Sequence, residues 1–139
     1  MKRHEALVPF SREHHDGLIL AQLLKISVPD YKGLPSDPIE KSRYAINMFH
    51  AVLKPHFVKE EEILKKIRTG NSEIKNISSE IFEEHKELER DFLSLHNSTG
   101  LAEALDSLGQ KLERHIRKEE RQLFPLLQEY CPDELAAML

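Results

Sequence analysis

Two pairs of residues in this chain combine an imidazole with a carboxylate at a spacing of four, His56 with Glu60 and His115 with Glu119. On a helix that spacing puts both side chains on one face, about 5–6 Å apart at Cβ. Either pair alone would read as a surface contact on a charged helix. The neighbouring residues argue otherwise. Core positions of a helix bundle fall four and three residues apart. One stretch then gives Ile46, Phe49, Leu53, His56, Glu60, Ile63 and Ile67. The next gives Ile74, Ile81, His85, Leu88, Phe92 and Leu95, and the last gives Leu101, Leu105, Leu108, Leu112, His115, Glu119, Gln122 and Leu126. The first stretch is apolar nearly all round, with Phe10, His14, Gly17, Ala21, Leu24 and Val28 as its best stripe. Each stripe is apolar apart from one short interruption, so four histidines and two glutamates stand where a bundle wants leucine.

Burying a bare carboxylate costs several kcal/mol, and buried polar groups need partners. A bound cation accounts for both glutamates at once. One metal takes the histidine of an HxxxE pair while the carboxylate reaches across to a second metal. Two such pairs with two single histidines therefore form a dinuclear constellation. Imidazole with carboxylate suits iron, manganese or zinc, and the lack of thiolates argues against copper(I) or an iron–sulfur cluster. Two six-coordinate metals offer about twelve positions. Four histidines fill about four, two bridging glutamates about four, and an oxo or hydroxo bridge about two. About two remain for dioxygen, peroxide, nitric oxide or water, which makes the expected site reactive.

The elements that must position these residues are helices. Six of the twelve glycines and prolines fall at 28–38, 69–72 and 97–100, and the stretches between these breaks are rich in Glu, Lys, Leu and Ile. The expected helices span 11–27, with Ser11 as N-cap, then 38–68, 72–97 and 101–130. Asp37-Pro38-Ile39-Glu40 is a start signal for the second, and Cys131-Pro132 ends the fourth. Pro55 lies inside the second helix and must kink it or force a bulge. Short links between four amphipathic helices give an all-α, antiparallel up-down four-helix bundle, taken as a single domain over 1–139.

Composition bounds the rest. Twenty basic and 24 acidic residues give a net charge of -4, no basis for nucleic-acid or anionic-membrane binding. No apolar run has the length of a membrane span, and the N-terminal residues have no apolar signal core. A lone cysteine excludes an intrachain disulfide and a cysteine-rich zinc site. The expected location is the cytoplasm, as a monomer or homodimer.

The chain resembles the hemerythrin-like, HHE cation-binding family. The strings that carry the resemblance are SREHHDGLILA (11–21), LKPHFVKEEEIL (53–64), EEHKELERDFL (83–93) and LERHIRKEERQLFP (112–125). The resemblance implies a four-helix bundle around an oxo- or hydroxo-bridged pair of iron ions, with zinc or manganese as substitutes. It implies ligation by a first-helix histidine, His56, Glu60, His85, His115 and Glu119. The first-helix ligand is open between two neighbours. The stripe, and the Glu-His match with His85, favour His14; the spacing seen in oxygen carriers favours His15. His14 is taken here. Glu61 and Glu120 are alternative ligands if a bulge shifts the register. Gln122 either supports a ligand or borders the core.

The sequence departs from the oxygen-carrying hemerythrins at Glu89, where they have a second third-helix histidine, and in the helix-four spacing, where they have HxxxxD. The HxxxE pairs look more like those of iron-centre repair proteins and of the iron-sensing hemerythrin domain of an F-box protein. The functions in view are binding or reaction with dioxygen, peroxide or nitric oxide, or iron sensing or storage. The alternatives are a peroxidase-like or catalase-like di-metal enzyme and a metal-stabilised interaction module. A ferritin-like oxidase needs ExxH pairs, and Phe82 and Leu112 stand where those glutamates would be.

Overall fold

The computed structural model describes residues 2–25 and 33–139. Val28 and residues 26–27, the expected end of the first helix, lie outside them. Among the described residues the chain forms five helices and no strand, an all-α bundle. Helix α1 is Val8–Leu24. It begins three residues before the expected start because Pro9 suits the first turn of a helix. Ser11 is therefore not the N-cap but lies a turn inside, with its hydroxyl donating to Glu120.

Helix α2 covers 38–66 in three parts: Pro38–Met48, a wide π turn at Phe49–Leu53, and Lys54–Lys66. Asp37 caps it, accepting from the Glu40 N–H at 2.9 Å. It stops two residues short of the expected end, with Ile67 extended. The π turn sits immediately ahead of Pro55. There the Lys54 N–H reaches back to the Phe49 carbonyl, and proline has no N–H for the next bond. Helix α3 is Ser72–Leu93, capped by Asn71 on the Ile74 N–H at 3.0 Å. It ends before the expected residue 97, giving way to a 3-10 turn at Leu95–Asn97. Helix α4 covers 101–130: Leu101–Lys118, a second π turn at Glu119–Leu123, and Phe124–Tyr130. A short α5, Pro132–Ala136, folds back and buries Leu135.

The second π turn corrects the helix-four stripe. Pro125 lies just beyond it, as Pro55 lies just beyond the first, and the extra residue rotates everything that follows. Gln122 is consequently exposed and Leu126 only half-buried, while Leu123 and Leu127 take the core. The same proline frees the Glu120 carbonyl from helix bonding, and Arg3 of the N-terminal segment donates to it at 3.0 Å.

Helices α1 and α4 approach each other closely at Gly109. A Cβ at Gly109 would stand 2.6 Å from the Ala21 carbonyl oxygen, so any other residue forces the backbone of the two helices to shift. The apolar core divides in two. One cluster includes Leu20, Phe49, Leu53, Leu88, Phe92 and Leu112. The other includes Leu7, Phe10, Ile74, Ile81, Leu123 and Leu127. The buried polar residues lie between them. No helix among the described residues is long and apolar enough to cross a membrane.

Candidate metal centre

Each long helix delivers its part of the polar interruption to one place. His14 comes from α1, His56 and Glu60 from α2, His85 from α3, and His115 and Glu119 from α4. All six are between 0 and 4% exposed. They fall into two groups, His14, His56, Glu60 and Glu119, and Glu60, His85, His115 and Glu119; within each group one donor atom per residue lies within 4.8 Å of the others. The two carboxylates belong to both groups. Glu60 Oε1 lies 3.2 Å from His56 Nε2 and 3.3 Å from His85 Nε2, and its Oε2 lies 3.5 Å from His14 Nε2. Glu119 Oε1 lies 2.5 Å from His115 Nε2 and 3.8 Å from His85 Nε2, and its Oε2 lies 3.4 Å from His14 Nε2.

His14 faces the cluster and is buried, whereas the neighbouring His15 is exposed. His50 and His96 are also exposed.

All four histidines are held in the same way. His14 Nδ1 pairs with Glu120 at 2.7 Å, His56 Nδ1 with Glu13 at 3.1 Å, His85 Nδ1 with Glu61 at 2.8 Å, and His115 Nδ1 with Glu84 at 2.7 Å. Each outer glutamate is a sequence neighbour of a cluster residue on its own helix, and each reaches the histidine of the next helix. Glu13 of α1 holds α2, Glu61 of α2 holds α3, Glu84 of α3 holds α4, and Glu120 of α4 holds α1, closing a ring. With Nδ1–H donating to a carboxylate, each Nε2 turns its lone pair inward. Glu61 and Glu120, the alternative ligands, thus sit on the outer side of the histidines. Sequence reasoning missed Glu13 and Glu84 altogether. The available signal was that each interruption in the core stripe is part of a Glu-His or Glu-Glu doublet. Gln122, the other candidate supporting residue, points away.

The inner atoms are left unsatisfied. Nε2 of all four histidines and both oxygens of Glu60 and Glu119 are buried without a hydrogen-bond partner among the described residues. Native interiors rarely leave even a few such atoms together, and an ion is one of the standard reasons. The donor set, imidazole nitrogen and carboxylate oxygen, fits a borderline or hard divalent or trivalent cation. Without an ion the atoms must share protons. Burial works against the charged form of His14, but contacts with Glu119, Glu120 and Glu60 outweigh it and push its pKa up to about 11. His85, opposed by burial but facing Glu119 and Glu60, rises to about 10. Glu119, although burial opposes ionisation, is held well below the ordinary carboxylate range, chiefly by His115.

The sequence profile of the hemerythrin HHE cation-binding domain matches residues 5–127, which takes in all six cluster residues and the whole outer ring. No curated protein and no solved structure matches the chain.

Proposed function

The chain belongs to the hemerythrin HHE cation-binding family, and from that premise we propose that it is a non-haem di-iron protein that binds or reacts with a small ligand, dioxygen, nitric oxide or peroxide. In this reading His14 and His56 would hold one ion and His85 and His115 the other, with Glu60 and Glu119 available to both. The observation that carries it is the set of eight buried, unpartnered donor atoms, divided into two groups with two carboxylates in common. A single cation would leave half of the imidazoles without a purpose, and a purely structural cluster would not leave every Nε2 bare. Iron bound there would supply one-electron redox chemistry and coordination positions that six residues do not fill.

The chain's own residues do the rest. The outer glutamates fix each imidazole in the tautomer that presents Nε2. The apolar clusters on either side, with Phe124 stacked on His14 and Phe57 stacked on His85 at 4.0 Å between centroids, exclude water from the donor atoms. Exclusion of water favours a small, weakly hydrated ligand over a large polar substrate.

The test is optical. Protein loaded anaerobically with iron(II) should change its near-ultraviolet and visible absorption on addition of nitric oxide, air or hydrogen peroxide. At least one of the three should act at a stoichiometry tied to bound iron. Iron-loaded protein that is spectrally indifferent to all three would leave iron storage or sensing as the surviving function.

A further inference from the structure

The outer ring is not uniform in charge. Glu84 also meets Lys118 Nζ, and Glu120 also meets Arg3. Each of these carboxylates is therefore compensated by a cation on its outer side. Glu13 and Glu61 have no such cation among the described residues; each pairs with its histidine alone. They are about 30% exposed, at 32% and 30%. The two groups of the cluster are matched in this respect. His14 and His56 have one compensated and one bare carboxylate behind them, and so do His85 and His115.

We propose that Glu13 and Glu61 are charge-selecting residues, one for each half of the cluster. Acting through His56 and His85, they bias the centre toward trivalent over divalent cations. The proposal rests on the metal reading given above. The argument is Coulombic. A negative charge one imidazole ring away from a donor nitrogen stabilises a 3+ ion more than a 2+ ion, and the difference is one extra unit of charge in a partly screened setting. A neutral acceptor in the same place would orient the ring equally well but would not discriminate. The carboxylates already balanced by Lys118 and Arg3 contribute less to this bias, because their field is partly cancelled. Glu13 and Glu61 are thus positioning residues that also set the preferred charge of the ion. They reach the cluster only through a histidine, and neither has an unpartnered buried atom of its own.

Glutamine separates the two roles, since its carbonyl oxygen still accepts from Nδ1–H while the charge is gone. The probes are gallium(III), supplied as its citrate, and manganese(II), two ions that do not change oxidation state under the assay conditions. Their affinities are measured by competition against a chelator for the natural chain, for Glu13→Gln and for Glu61→Gln. The expected result is a gallium(III) affinity lowered about tenfold more than that of manganese(II) in each variant, and in the double variant a larger shift. Equal losses for the two ions, or no loss in either, would overturn the proposal and leave the metal centre standing. A natural chain that binds neither ion would overturn both. Should one variant fold poorly, the other carries the same comparison, because the two residues sit on different helices and touch different histidines.

Discussion

The side chains that matter most are those whose chemistry contradicts their position. His14, His56, Glu60, His85, His115 and Glu119 could be picked out of the sequence because a polar residue on an apolar stripe demands a partner. The choice of His14 over His15 is the most specific consequence. His14→Ala should lose bound metal, and His15→Ala, an exposed residue, should keep it; metal analysis of the two purified variants decides. The opposite pattern would mean that α1 is rotated by one residue. Protonation supplies a second prediction. His14 and His85 have folded pKa values near 11 and 10 against an ordinary value of 6.5. In metal-free protein their stabilising contribution is therefore complete below pH 6.5 and declines as pH rises toward those values. Glu60 and Glu119 are shifted downward, so their contribution is present above the ordinary 4.5 and is lost in acid. The melting temperature of chelator-treated protein should fall between pH 7 and 10. The metal-loaded protein should not show that decline, since the ion replaces the protons. A flat alkaline profile for the chelated protein would contradict the assignment. The outer ring was harder to read. Glu13 and Glu84 look like ordinary surface charge in a sequence that is 32% charged, and their role exists only where two helices meet.

The helices were legible wherever periodicity and punctuation agreed, as at Asp37-Pro38 and Asn71. Prolines mark three of the instructive places, while the ends of α2 and α3 fall short without one. Pro9 starts α1 earlier than Ser11 would. Pro55 was expected to disturb α2, and the disturbance is the π turn Phe49–Leu53. Pro125 accompanies the rotation that exposes Gln122 and buries Leu123. A strict four-three stripe has no means of counting the extra residue in a π turn, so it fails just beyond Glu119 and is right before it. Tight packing between helices is equally silent in sequence. Gly109 sits where a methyl group would strike the Ala21 carbonyl oxygen, so Gly109→Ala must push α1 and α4 apart. The helix-propensity gain of about 1 kcal/mol from alanine opposes an overpacking cost of about 1–3 kcal/mol. A net loss of roughly 1 kcal/mol in chemical denaturation is expected. A stabilised variant would mean that the two helices have slack at this crossing.

Across the molecule, one arrangement repeats in each half of the bundle. A helix that brings one histidine to the cluster, α1 or α3, precedes a helix with an HxxxE pair, α2 or α4. A Glu-His doublet marks the first helix of each half and a Glu-Glu doublet the second. The outer glutamates link the four helices in a closed cycle, so in the proposed reading holding the ions and holding the bundle would be coupled tasks. Two apolar clusters seal the centre from both ends. The family match over 5–127 covers this whole arrangement. The central claim is that it holds two ions and not one. Anaerobic titration with iron(II), read by native mass spectrometry, tests that claim most directly. The prediction is saturation at two ions per chain, with the second binding at an affinity comparable to the first because the two donor groups are alike. Saturation at a single ion, or no retained iron, would contradict it.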